Sequence, residues 1–119
     1  MITVDRVRGL ALSLPGVSAE PHFDMTSFRV LGKIFATVAA DEARLHVFMD
    51  EDEARACAAE DPVAFEPLRW GRRIRGVRVL LTTAPPDRVL ELVEESWRRK
   101  APRRLVARLD ADRQRPAGA

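Results

Sequence analysis

The period of the apolar residues changes along this chain, and that change constrains the fold more than any motif in it. From Thr3 to Leu14, residues Val4, Val7, Leu10, Ala11 and Leu14 recur at steps of three and four, the spacing of a helix with one buried face. Thr3 stands before the run as an N-cap, and Leu14-Pro15-Gly16 stops it. After a loop through His22 the period becomes two. Ser27 to Leu31 and Ile34 to Ala39 read as strands joined at a tight Gly32-Lys33 hairpin. A turn at Asp41 to Ala43 and a strand from Arg44 to Phe48 complete an antiparallel meander.

The helical period then returns. Asp50 at a cap with Glu53 three residues on reads as a capping box, and Ala54, Cys57 and Ala58 give the helix that follows a small-residue face. Asp61-Pro62 ends it. From Val63 to Gly76 the interruptions at Pro67, Gly71 and Gly76 obscure any period, whereas Val77 to Thr82 reads as a strand. Pro85-Pro86-Asp87 starts a helix with Val89, Leu92, Val93 and Trp97 on one stripe, expected to dock on Val77, Val79 and Leu81. Beyond Pro102, Leu105, Val106 and Leu109 suggest a short terminal helix. The order is α-β-β-β-α-β-(β)-α, which implies an α+β two-layer sandwich, an antiparallel sheet with its helices on one face. The other face is expected to be open to water or a partner. One domain is expected over residues 1–111, with 112–119 as a frayed tail.

At 119 residues such a domain buries ~65% of the surface its unfolded chain exposes, enough for a core without metal or disulfides. The single cysteine, Cys57, excludes an internal disulfide and a cysteine-based zinc cluster. No apolar run approaches the length of a membrane span, and nothing reads as a signal peptide, so a cytoplasmic protein without a membrane partner is expected.

The net charge of +2 hides a segregation by sign. Residues 41 to 66 carry nine acids against Arg44 and Arg55, and residues 98 to 115 carry eight basic residues against Asp110 and Asp112. A third cluster, Arg69, Arg72, Arg73, Arg75 and Arg78, contains no acid. Arginine forks match phosphate oxygens, which makes this cluster the leading candidate for contacting phosphates. The same arginines could instead solvate a hairpin and shield an edge strand. In the Arg98–Arg108 cluster some cations simply favour the negative end of a helix. Strand parity offers a further surface, a sheet face bearing Arg29, Phe35, His46, Phe48 and Arg78, whose aromatics and cations can stack bases and hold phosphates. Such a face is more often covered by a terminal helix or a dimer mate.

His22 and His46 lie in different segments without a ligand partner at metal spacing, so neither a catalytic metal nor a cofactor is expected. No nucleophile with a base at recognisable spacing, no G-x-S-x-G and no phosphate loop appears. Nothing here nominates catalytic residues.

Leu14-Pro15-Gly16-Val17, Pro21-His22-Phe23, Ser27-Phe28-Arg29-Val30 and Gly32-Lys33-Ile34-Phe35-Ala36 form an ordered set with Phe65, Pro67, Gly76-Val77-Arg78-Val79 and Ala101-Pro102-Arg103-Arg104-Leu105. By their order and spacing the chain resembles the MmcQ/YjbR family of small bacterial proteins. Members often carry an aromatic just before the strand that corresponds to Gly76-Val77-Arg78, where this chain has Ile74 nearby and Trp70 earlier. The resemblance implies a fold similar to frataxin-like and secretion-chaperone-like two-layer domains. It also implies DNA binding through a "double wing" of strands and turns, a fold-level analogy.

The expected function is therefore non-enzymatic, weak and largely nonspecific DNA binding. Arg69, Arg72, Arg73, Arg75 and Arg78 would contact phosphates, with Arg103 and Arg104 as a second patch. The alternative is a protein- or peptide-binding module using the open sheet face, as a monomer or a homodimer.

Overall fold

The computed structural model describes residues 1–39, 41 and 43–115. Their order is α1 (Val4–Ser13), β1 (Val17–His22), β2 (Met25–Val30), β3 (Lys33–Val38), β4 (Arg44–Phe48), α2 (Glu51–Glu60), β5 (Phe65–Trp70), β6 (Arg73–Leu80), α3 (Pro86–Lys100) and α4 (Arg103–Arg113). The strands form one six-stranded antiparallel sheet in the order β1-β2-β3-β4-β6-β5. This is the α+β architecture that the change of period implies, with two more strands than the meander and Val77–Thr82 supply.

The first addition is β1, where a loop was expected. It pairs with β2 from Val17↔Val30 to His22↔Met25, yet its residues 18 to 21 are all exposed. Only Val17 at its start packs against the core, so the strand carries no apolar alternation and the period is silent there. The second is β5, paired with β6 across a two-residue turn at Gly71 and Arg72. Gly71 takes φ +62 at the first central position, where a type II′ hairpin turn requires glycine. Pro67 lacks a donor, but β5 is at the sheet edge, where that donor has no strand to meet. Gly76 is fixed by close approach instead: a Cβ there would stand 2.0 Å from the Val47 carbonyl oxygen.

The β2–β3 turn falls one residue earlier than Gly32-Lys33. Leu31 and Gly32 both adopt positive φ, at 48 and 85, and Lys33 already belongs to β3. At the next turn the Ala43 amide donates to Asp41 Oδ1 at 3.0 Å, and Glu42 between them lies outside the described residues.

The helices share one face of the sheet. Thr3 caps α1 by accepting from the Arg6 amide at 3.2 Å. Asp50 is the N-cap of α2 but makes no side-chain cap bond, so the capping box does not form. Glu53, the residue that would close it, pairs with Arg99 of α3. The stripe of α3 is buried as expected, with Trp97 fully so, but its seat differs. α3 lies over β3 and β4 and against α1, while α2 lies over β5 and β6. The buried Ala54 and Cys57 let α2 come close to that half of the sheet, leaving the other half to α3. Val77, Val79 and Leu81 still join Trp97 in one core. α4 runs to Arg113, past the expected start of the tail at 112, and residues 116–119 lie outside the described residues.

Candidate nucleic-acid interface

β3 and β4 pair over only three positions, Ala36↔Val47, Thr37↔His46 and Val38↔Leu45. Beyond them Ser96 of α3 takes the place of the ladder, with Oγ 2.7 Å from both the Phe35 and the Phe48 carbonyl oxygens. Its single hydroxyl proton serves one of them at a time. The sheet thus consists of two three-stranded halves, β1-β2-β3 and β4-β6-β5, joined by a short seam.

A cavity of about 610 Å³ lies along this seam. Met25 and Ile34 line it from the first half, Phe48, Leu68 and Trp70 from the second, and Arg99 and Lys100 from the end of α3. Thr37 pairs with His46 across the seam, His46 pairs with Arg78 on the next strand, and all three line the cavity. β4 and the matching part of β6 alternate as the sequence implies: Leu45, Val47, Val77 and Val79 are buried in the core, while Arg44, His46, Phe48 and Arg78 are not.

Phe48 and Trp70 meet edge to face with ring centroids 5.9 Å apart, and the Arg75 guanidinium carbon lies 5.8 Å from the Trp70 centroid. Arg78 donates to Glu66 at 2.7 Å. Burial holds the His46 imidazole below the ordinary histidine range, and the neighbouring positive charges of Arg78 and Arg44 add to that. His46 is therefore a neutral donor and acceptor near pH 7. Thr37 Oγ1 is buried and, among the described residues, has no hydrogen-bond partner.

The expected phosphate-contacting residues divide into three groups. Arg69, Arg75 and Arg78 line the cavity; Arg72 and Arg73 stand exposed at the hairpin tip beside it. Arg103 and Arg104 are exposed on the first turn of α4, in the helical layer and away from the cavity lining. Ion pairing separates the clusters further. Arg98 bonds Asp110 and Glu94, Arg113 bonds Glu94, and Arg99 bonds Glu53, so much of the C-terminal charge is spent on joining helices. Among the described residues no carboxylate pairs with Arg69, Arg72, Arg73 or Arg75.

The aromatic-cationic face differs from its expected membership. His46, Phe48 and Arg78 line the cavity, while Arg29 is held against β1 by the Ser27 hydroxyl and the Pro21 carbonyl. Phe35 is fully buried in the core, because the β2–β3 register shifts at Phe28/Arg29 and breaks the alternation. Sequence reasoning missed Thr37, Leu68, Trp70 and Lys100 as partners in one site. His22 and His46, far apart in sequence, both line it.

Cys57 is buried, and burial pushes its thiol to about 11, which keeps it protonated and inert as a nucleophile. Among the described residues no group of three or more His, Cys, Asp or Glu is placed to hold a metal ion, and no helix is long and apolar enough to cross a membrane.

Residues 12–99 match the family model described as YjbR. No curated protein matches the chain. Among solved structures it is similar to the crystal structure of Deinococcus radiodurans protein DR2400, which carries a DUF419 domain. The TM-score is 0.70 at 25% identity, covering 82% of this chain and 77% of that one. With a family model spanning most of its length and a solved neighbour of the same fold, the chain belongs to the YjbR family.

Proposed function

We propose that this protein is a non-enzymatic DNA-binding protein that contacts phosphates through the β5–β6 hairpin. The observation that carries the reading is the set of four arginines, Arg69, Arg72, Arg73 and Arg75, gathered on one hairpin with no carboxylate partner among the described residues. Charges held together without partners are repelled by one another, and a polyanion relieves that repulsion. The pattern also separates the arginine clusters: in the C-terminal one Arg98, Arg99, Arg113 and Arg115 are ion-paired within the protein, whereas among the described residues Arg69, Arg72, Arg73 and Arg75 have no carboxylate partner. Arg103 and Arg104 form a secondary patch, since they too are exposed and have no carboxylate partner among the described residues.

Phosphate contacts position a protein on DNA without reading its sequence. Changing Arg72 and Arg73 together to Ala should lower affinity by a similar factor for every duplex tested, measured by fluorescence anisotropy at low salt. Thermal stability should stay within about 0.5 kcal/mol of the parent, because both side chains are exposed at the hairpin tip. Equal binding by the double variant and the parent would sink the hairpin reading. Saturable binding of a peptide at that same face would favour a protein-interaction module instead.

A further inference from the structure

The cavity on the sheet seam asks for more than a phosphate. Its walls are apolar at Met25, Ile34 and Leu68 and aromatic at Phe48 and Trp70. Thr37, only 1% exposed, lines it, and its buried Oγ1 has no hydrogen-bond partner among the described residues, a costly state for a hydroxyl unless something bonds it. The neutral His46 adjoining it on the next strand offers one further donor and one acceptor. Arg69, Arg75 and Lys100 line the same space, against one acid among the described residues, Asp50.

We infer that this cavity takes one unpaired nucleotide, its base against the Phe48–Trp70 pair with its polar edge toward Thr37 and His46, and its phosphate toward the hairpin arginines. The volume of about 610 Å³ is that of a small-molecule site. A bare anion leaves the apolar and aromatic walls unfilled. An apolar peptide side chain leaves the Thr37 hydroxyl unpaired and strips water from the arginines. A paired base in a duplex keeps its faces and edge engaged in the helix and cannot enter. A nucleotide in a single strand and a free mononucleotide share the required chemistry. The exposed Arg72 and Arg73 just outside favour the strand, since they offer flanking phosphates a place. For that source the inference rests on the DNA-binding reading; the pocket chemistry does not depend on it.

The protein reports on this site directly. Trp97 is fully buried and gives a constant background, while Trp70 is 58% exposed and lines the cavity, so quenching of tryptophan emission follows base stacking at Trp70. The titrants are oligo-dT of about twelve nucleotides, within the span of single-stranded sites, a duplex of the same length, and dTMP. Oligo-dT should quench and bind about tenfold tighter than duplex, and Trp70→Leu should abolish the quenching and weaken oligo-dT about five- to a hundredfold. Thr37→Val keeps the shape and removes the hydroxyl. It should weaken oligo-dT about three- to tenfold, leave duplex binding unchanged and cost no thermal stability. Equal binding of oligo-dT and duplex, with no quenching and no effect of Thr37→Val, would overturn the inference. The hairpin reading survives that result if the Arg72/Arg73 double variant weakens both nucleic acids. Quenching by dTMP as tight as by oligo-dT, with the same Thr37 dependence, upholds the pocket and makes a free nucleotide its ligand, against the hairpin reading.

Discussion

Trp97 Nε1 donates to the Pro15 carbonyl at 3.1 Å, tying the last turn of α3 to the stop signal of α1, 82 residues away in sequence. The ring is fully buried, so one side chain contributes both apolar packing and a long-range hydrogen bond. Trp97→Ala should cost about 3–5 kcal/mol. Trp97→Phe, which keeps most of the packing and leaves the Pro15 carbonyl without its donor, should cost about 1–3 kcal/mol. Urea denaturation of both variants checks the order, and a loss below about 1 kcal/mol for Trp97→Ala would contradict it.

Gly76 is opposite Phe48 in the β4–β6 ladder, and a side chain there has only backbone to displace. Gly76→Ala should therefore destabilise by at least the ~1–3 kcal/mol of an overpacked core. It should also disturb Phe48 and Leu68, its partners on either side, seen as amide shift changes in β4 and β5. A melting temperature equal to that of the parent would show that the strands separate freely.

Leu31 occupies a position that most side chains avoid. With Gly32 it forms a turn in which both residues have positive φ, a pattern met best by Asn-Gly. Leu31→Asn should stabilise the protein by about 1 kcal/mol, the order of the steric penalty relieved. Thermal denaturation reads the gain, and a loss would show that Leu31 contributes packing that outweighs its strain.

The parts of the fold that were legible in the sequence are those where burial imposes a period. α1, α3 and β4 each present one face to a core and one to water, so their apolar residues recur at the element's own spacing. β1 was illegible because between Val17, which touches the core, and His22 every residue of this edge strand is exposed. The 65–80 hairpin was obscured by Pro67, Gly71 and Gly76, each of which has a specific place: an edge, a turn and a close approach. For the site, the acid-free arginine cluster was visible as charge. Thr37 and Trp70 were not, since a lone hydroxyl or indole gains meaning only when the seam brings it beside His46 or Phe48. Phe35 was misplaced because parity carries no warning of a bulge.

Acid should weaken the fold through His46. Its folded pKa lies below the unfolded value of 6.5, because of burial first and then Arg78 and Arg44. As pH falls through 6.5 the unfolded chain takes up the proton before the folded one does, so stability declines until the folded pKa is passed. The parent should therefore lose more stability between pH 7.5 and pH 5.5 than His46→Gln, which lacks this group; these bounds bracket about one pH unit either side of the unfolded value. Denaturant midpoints at the two pH values measure it, and parallel losses in both proteins would contradict the assignment.

The salt dependence of DNA binding tests the phosphate-contacting hairpin most directly. Four arginines neutralising four phosphates should give a slope of about −3.6 for log affinity against log salt concentration, from counterion release. The Arg72/Arg73 double variant should be shallower by about two units. That pair of slopes is expected from anisotropy titrations of one duplex over a salt series. Binding whose affinity stays flat across the series, or equal slopes for the parent and the double variant, would contradict contact between this hairpin and DNA phosphates.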